Sequence, residues 1–284
     1  MPNAKRLIVN SDDLALHASV NRAIFQAHRG GIVTSTTILA GGKAFSEAVQ
    51  EIKQIPDLGV GLHLCLVDQQ SVADPERISS LVDSGGMLPK SYASFILRYF
   101  TGRIRSEHIK AELVAQAAKA VDHGLKLTHF DGHQHLHLLP EIAAITLELG
   151  TKFGVQRVRI PQENILPQTG PTPLMRKLQG KLISKLAAKR RNEFVNAGWL
   201  TSDHFFGFSR GGCMHLEDWL GLIPSLPAGV TEIMVHPGDD NLNLKSHTGT
   251  DYHWAEELAA LINPEVKQLL RDHNIELINF GDLC

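Results

Sequence analysis

Short apolar, β-branched runs alternate along this chain of 284 residues with longer segments of helical periodicity. That alternation restricts the chain to parallel β/α units. Eight such runs fall at residues 6–10, 34–39, 59–66, 126–131, 156–160, 203–208, 231–236 and 276–280. Helical periodicity occupies 18–29, 44–54, 106–123, 140–153, 215–222 and 253–274, the last interrupted at Pro264. Eight strands in a chain of this length predict one α/β domain over residues 1–284, a TIM-like (β/α) barrel. No internal repeat, low-complexity tract or linker divides it. Two connections exceed ordinary βα loops. Residues 67–105 carry Gly85, Gly86 and Pro89, and residues 161–202 carry Pro161, Pro167, Pro171 and Pro173 before a basic helix. Long insertions after barrel strands shape substrate sites.

Composition narrows the function classes. A net charge of −2 supplies no basic field for nucleic acid. Cys65, Cys213 and Cys284 are odd in number and widely spaced, which argues against a disulfide framework and for a reducing, cytoplasmic compartment. The Leu-Ile-Val run before Asn10 is too short for a signal-peptide core, and no stretch reaches the roughly 18 apolar residues of a membrane span.

Chemistry concentrates in Thr128–Pro140, where His129, Asp131, His133, His135 and His137 fall within nine residues. Strand alternation would point all five one way. Gly132 predicts instead that the strand ends and that His133 and its followers occupy a loop at its carboxyl end, where barrels place chemistry. Clustered imidazoles beside a carboxylate suit a zinc-class cation; a solvated His-rich loop is the bland alternative.

The first strand ends in Asn10-Ser11-Asp12-Asp13, which brings two carboxylates to the same mouth. Neighbours on an extended chain point apart, so one can ligate a metal while the other faces a water; an N-cap pair is the alternative. His63 sits near the end of an apolar strand. With Asp13 and His133 it makes a three-ligand set with open positions. Cys65 reads as a packed core thiol. His236 ends the seventh strand and is open to ligand, acid or structural roles. Arg159 can bind a carboxylate, hydrogen-bond Asp12 or form a plain salt bridge.

Residues 174–194 place Leu174, Leu178, Leu182 and Leu186 at fourfold spacing among Arg176, Lys177, Lys181, Lys185, Lys189, Arg190 and Arg191. This predicts an amphipathic surface helix, docked on the barrel by its leucines or lying against a membrane surface.

Five motifs in order resemble the YdjC-like carbohydrate deacetylases: Asn-Ser-Asp-Asp, Gly31–Thr37, Gly-Leu-His-Leu at 61–64, the histidine block, and Val-His-Pro-Gly at 235–238. The resemblance extends to the terminal Ile-Glu-Leu-Ile-Asn-Phe-Gly-Asp-Leu. It implies an irregular β/α barrel related to polysaccharide deacetylases. It also implies a divalent metal, Mg2+ or Zn2+, on Asp13, His63 and His133, with Asp12 as general base. Looser analogy makes His236 the general acid and Arg159 the positioner of the base. The implied substrate is an acetylated aminosugar, either an oligosaccharide or a glycolipid such as a glucosaminyl hopanoid. The chain departs from the family's usual Ala-Asp-Asp-Phe-Gly at Ser11, Leu14 and Ala15, and has Gln134 where many relatives have histidine. Competing expectations are a barrel phosphoesterase, with His129, Asp131 and His135 holding a second metal, and a non-catalytic carbohydrate- or metal-binding protein. A homo-oligomer remains open.

Overall fold

A computed structural model describes residues 4–163 and 174–284, with side chains in the second span from 178 onward. Pro167, Pro171, Pro173 and the side chains of Leu174, Arg176 and Lys177 lie outside the described residues. The chain order is β1 (Lys5–Leu14), α1 (Ala18–Arg29), β2 (Ser35–Ile38), α2 (Phe45–Ile52), β3 (Gly59–Leu64), α3 (Tyr92–Phe100), α4 (Ser106–Asp122) and β4 (Phe130–Gly132). It continues with α5 (Pro140–Phe153), α6 (Leu174–Asn196), β5 (His204–Phe206), α7 (Leu216–Leu222), β6 (Gly229–Val235), α8 (Asn241–Thr248), α9 (Trp254–Leu261), α10 (Pro264–Asp272) and β7 (Ile275–Leu277).

The strands are parallel in the order β4-β3-β2-β1-β6-β5, a curled sheet with helices outside, as the α/β alternation predicts. Its two edges approach through the segment around residues 156–160. Phe130 N donates to Arg157 O, Arg159 N to Phe130 O, and Val158 N to Leu200 O, at 2.9, 3.0 and 3.0 Å. The predicted strand there makes only isolated bridges, because Pro161 follows at once and removes a donor. The predicted eighth strand is likewise no stave of its own. β7 pairs with Lys5–Leu7 at the foot of β1, on the edge that β2 takes higher up. The barrel is therefore irregular.

Packing explains the local choices. β1 is longer than its apolar run because Asn10 and Ser11 are paired on both edges and are buried together with Asp12. Pro140 opens α5, and Pro264 separates α9 from α10, as expected from its missing N–H. Cys65 is buried, its thiol on Val67 O. α6 corrects its leucine stripe. Ile183, Leu186, Ala187 and Phe194 face the protein, whereas Leu178 and Leu182 are 54% and 70% exposed. Among the described residues no helix is long and apolar enough to cross a membrane.

The barrel foot has no spare volume. His129 stacks on Phe280 with centroids 3.7 Å apart, and a Cβ at Gly61 would come within 2.5 Å of the His129 ring. Gly61→Ala is expected to destabilise the fold by about 1–3 kcal/mol, the cost of overpacking a closed core. Urea denaturation measures it; an unchanged midpoint would contradict this packing.

Candidate active site

β1 delivers both carboxylates, and a break in its regularity separates their roles. Asp13 has φ +66°, and the register with β2 shifts between Ser11 and Leu14. In a regular strand Asp13 would face away from Asp12; the bulge turns it back to the same mouth.

At that mouth Asp13 Oδ1 lies 3.0 Å from His133 Nδ1 and 3.4 Å from His63 Nε2, and the two nitrogens are 3.3 Å apart. These are edge lengths expected around one cation with bonds of about 2.0–2.2 Å. The opposite nitrogen of His63 is committed. Nδ1 donates to Asp131 Oδ1 at 2.6 Å, while the Thr37 hydroxyl donates to Asp131 Oδ2 at 3.1 Å, so the Nε2 lone pair faces Asp13 and His133. Burial opposes a proton on His63, but the Asp131, Asp12 and Asp13 charges overcome it and push its pKa up to about 9. The field that holds a proton there also favours a divalent cation. One carboxylate and two imidazoles thus fit a zinc-class ion in charge, donor type and spacing.

A second acidic group, Asp12, His63 and Asp131, lies deeper, but a cation already serves it. Arg159 is fully buried. Its Nη1 donates to Asp12 Oδ2 at 2.6 Å and lies 2.7 Å from Asp131 Oδ2; its Nη2 donates to Asp12 Oδ1 at 2.7 Å. Its Nε donates to Glu232 Oε1 at 2.6 Å. Burial pushes the Asp12 carboxyl up, yet the guanidinium outweighs this and holds it far below the usual carboxylate range. Asn10 Nδ2 also donates to Asp12 Oδ1, at 3.0 Å.

Across from Arg159, His236 Nε2 lies 3.9 Å from Asp12 Oδ2. Burial lowers its pKa and the Asp12 and Asp13 charges partly restore it, so the imidazole is neutral near pH 7. Its backbone N–H donates to Glu257 Oε2 at 2.6 Å, and its ring lies against Tyr252. These groups open into a cleft of about 450 Å3, within the range of small-molecule sites. Tyr92 of the 67–105 connection, Gln179 and Leu182 of α6, Tyr252 before α9 and Trp254 at its start wall it.

All six residues singled out in the sequence therefore meet: Asp12, Asp13, His63, His133, Arg159 and His236. The rest of the histidine block scatters. His129 is a stacked core residue, and His137 Nε2 donates to Arg159 O at 3.0 Å. His135 lines the cleft, because Gln134 and His135 both adopt φ near +55° after Gly132. The second-metal set of His129, Asp131 and His135 is not assembled. Sequence reasoning missed Asp131 as the partner of His63, and it missed Glu232 and Glu257. Glu232 was legible as a charge at the inward parity of an apolar strand; Glu257 sits in a helix and carried no such signal.

Comparison with known proteins agrees with this architecture. Residues 6–272 match the family described as YdjC-like protein. The chain is 32% identical over 281 residues to a carbohydrate deacetylase of Brevibacillus brevis, covering 98% of this chain and 99% of that one. It is 28% identical over 284 residues to a carbohydrate deacetylase of Thermoanaerobacter pseudethanolicus, covering 98% and 99%. A proposed cellobiose-phosphate cleavage protein of Enterococcus faecalis shares the fold, with a TM-score of 0.76 at 23% identity over 98% of both chains. A family match over residues 6–272, nearly the whole chain, makes this protein a member of the YdjC-like family.

Proposed function

We propose that this protein removes the N-acetyl group from an acetylated aminosugar by hydrolysis. The observation that carries the reading is the placement of Asp12. It is clamped by Arg159 on one side and lies 3.9 Å from His236 on the other, beside the Asp13, His63 and His133 donors. The carbohydrate deacetylases of B. brevis and T. pseudethanolicus support the substrate class.

A divalent cation on Asp13, His63 and His133 supplies Lewis acidity to the amide carbonyl and lowers the pKa of water. The protein's own groups do the rest. Asp12, ionised and oriented by Arg159, takes the proton of the attacking water at its free lone pair. Arg159 makes that proton transient, and His236 Nε2, the imidazole nearest Asp12 Oδ2, carries it to the departing amine. The C–N bond breaks as the nitrogen gains the proton, leaving acetate and a free amine. Two imidazoles among three ligands favour Zn2+ over Mg2+, which prefers oxygen. We read the whole chain as one catalytic unit in which the 67–105 connection and the described part of α6 wall the substrate.

For the substrate, α6 favours a lipid-linked sugar, such as a glucosaminyl hopanoid, bound at a membrane surface. Exposed Leu182 stands on the rim of the cleft, one turn from exposed Leu178 and beside Lys181 and Lys185. Acetate release from free, oligomeric and lipid-linked N-acetylglucosamine tests all of this at once. Zinc-loaded protein is expected to release acetate, fastest from the lipid-linked substrate. His133→Ala is expected to lose bound zinc and to release none. Equal rates on soluble sugars would remove the lipid reading, and silence across the panel with zinc bound would remove the deacetylase reading.

A further inference from the structure

Glu232 is unused by the chemistry above. It is fully buried on β6, its Oε1 accepts from Arg159 Nε at 2.6 Å, and its Oε2 has no hydrogen-bond partner. A buried carboxylate with an idle oxygen is costly unless it serves another group. Its position shows which group. Arg159 spends Nη1 and Nη2 on Asp12 and Nη1 also on Asp131, so only the Nε edge remains, and Glu232 holds that edge from behind. With the edge held, the guanidinium plane cannot rotate about its stem, and both Nη groups stay aimed at Asp12.

We propose that Glu232 is a positioning residue that acts on Asp12 through Arg159, orienting the guanidinium and offsetting part of its charge. The inference rests on the reading of Asp12 as the base. It answers a difficulty in that reading, since a carboxylate chelated by a lone buried arginine is a poor base. Three carboxylates share the one guanidinium here, which dilutes its hold on each.

Charge makes the device sensitive to pH. Among the described residues the charged groups that act on Glu232 include Arg159 from the 156–160 segment, Asp12 from β1, Asp131 from β4 and Arg191 from α6. Burial pushes the Glu232 carboxyl up, Arg159 opposes this, and Asp12 and Asp131 add to the rise, placing it at about 7. Below that pH Glu232 is neutral and Arg159 bears fully on Asp12 and Asp131. Above it, the Glu232 charge draws on the guanidinium and relaxes its grip.

One arm of the test needs no substrate. In zinc-loaded protein labelled with 13C-carboxyl glutamate, the Glu232 signal is assigned by its absence from Glu232→Asp or Glu232→Gln. It is expected to titrate near neutral pH, and its midpoint is expected to fall by about one pH unit in Asp12→Asn, because coupling between two sites is reciprocal. A midpoint unmoved by Asp12→Asn would overturn the proposal whether or not the protein deacetylates any substrate. The second arm is kinetic. The Glu232→Gln side chain would still offer Arg159 an acceptor but no charge. That variant is expected to lower kcat at pH 8 about tenfold, flatten its rise between about pH 6 and 8, and leave KM within about twofold. A kcat and pH course equal to wild type, or a loss of stability alone, would assign Glu232 to the fold and overturn the proposal. Wild-type protein that releases no acetate would count against the deacetylase reading, and the titration would still decide the role of Glu232.

Discussion

Asp12→Asn is expected to lower kcat for acetate release by about a hundred- to ten-thousandfold, the contribution typical of a positioned general base, while zinc content stays at the wild-type level. The separation of these readouts follows from geometry. Asp13, not Asp12, faces His63 and His133, and Asp12 spends both oxygens on Arg159 and Asn10. Asparagine keeps the volume and one acceptor, so the barrel should fold and the three metal donors should stay in place. Acetate release measured beside metal analysis checks it. Turnover within tenfold of wild type would remove Asp12 as the base, whereas loss of zinc together with turnover would make Asp12 a ligand and not a base.

Arg159→Met is expected to cost about 3–5 kcal/mol of folding stability, because it strips three buried carboxylates of the guanidinium they share. Asp12, Asp131 and Glu232 all lie within 2.7 Å of the guanidinium, and burial alone pushes each carboxyl upward. The sign of the pH dependence follows. A carboxyl whose folded pKa exceeds its unfolded value of about 4 destabilises the fold increasingly as pH rises between the two values. The deficit should therefore be largest at pH 8 and shrink toward pH 5 as the stranded carboxyls take up protons. Urea denaturation of wild type and variant at both pH values measures it. A deficit that is constant or grows on acidification would mean that packing of the arginine stem, rather than its charge, is what Arg159 contributes.

The most legible parts of this protein were those that depend on local pattern. The alternation of apolar runs and helical periods announced a parallel barrel, and Pro140, Pro264 and Gly132 marked boundaries that the structure keeps. Polar residues at or just past the ends of three strands singled out the candidate site: Asp12 and Asp13, His63, and His133, the last on the turn after β4. Other elements left little trace. α3 follows Ser91, whose side chain caps Ser94 N, and α8 follows Asp240, which caps Asn243 N, but both are short helices inside connections that read as loops. The leucines of α6 misled because fourfold spacing identifies a stripe without saying what covers it. Of the stripe only Leu186 packs against the core among the described side chains, and the helix docks chiefly through Ile183, Ala187 and Phe194 beside it.

By itself, then, the sequence determined the fold class, the family and the residue types at the barrel mouth, because strand period and chain direction are local properties. Tertiary structure decided which of those residues face one another. Only the barrel's closure brings Arg159 between Asp12, Asp131 and Glu232, from four separate stretches of chain. Only the left-handed turn at Asp13 divides two adjacent carboxylates between the imidazoles of His63 and His133 and a buried guanidinium. Electrostatic coupling depends on distance through space and on the exclusion of water. Neither is encoded in spacing along the chain, which is why Glu232, 73 residues from Arg159, became visible only in three dimensions.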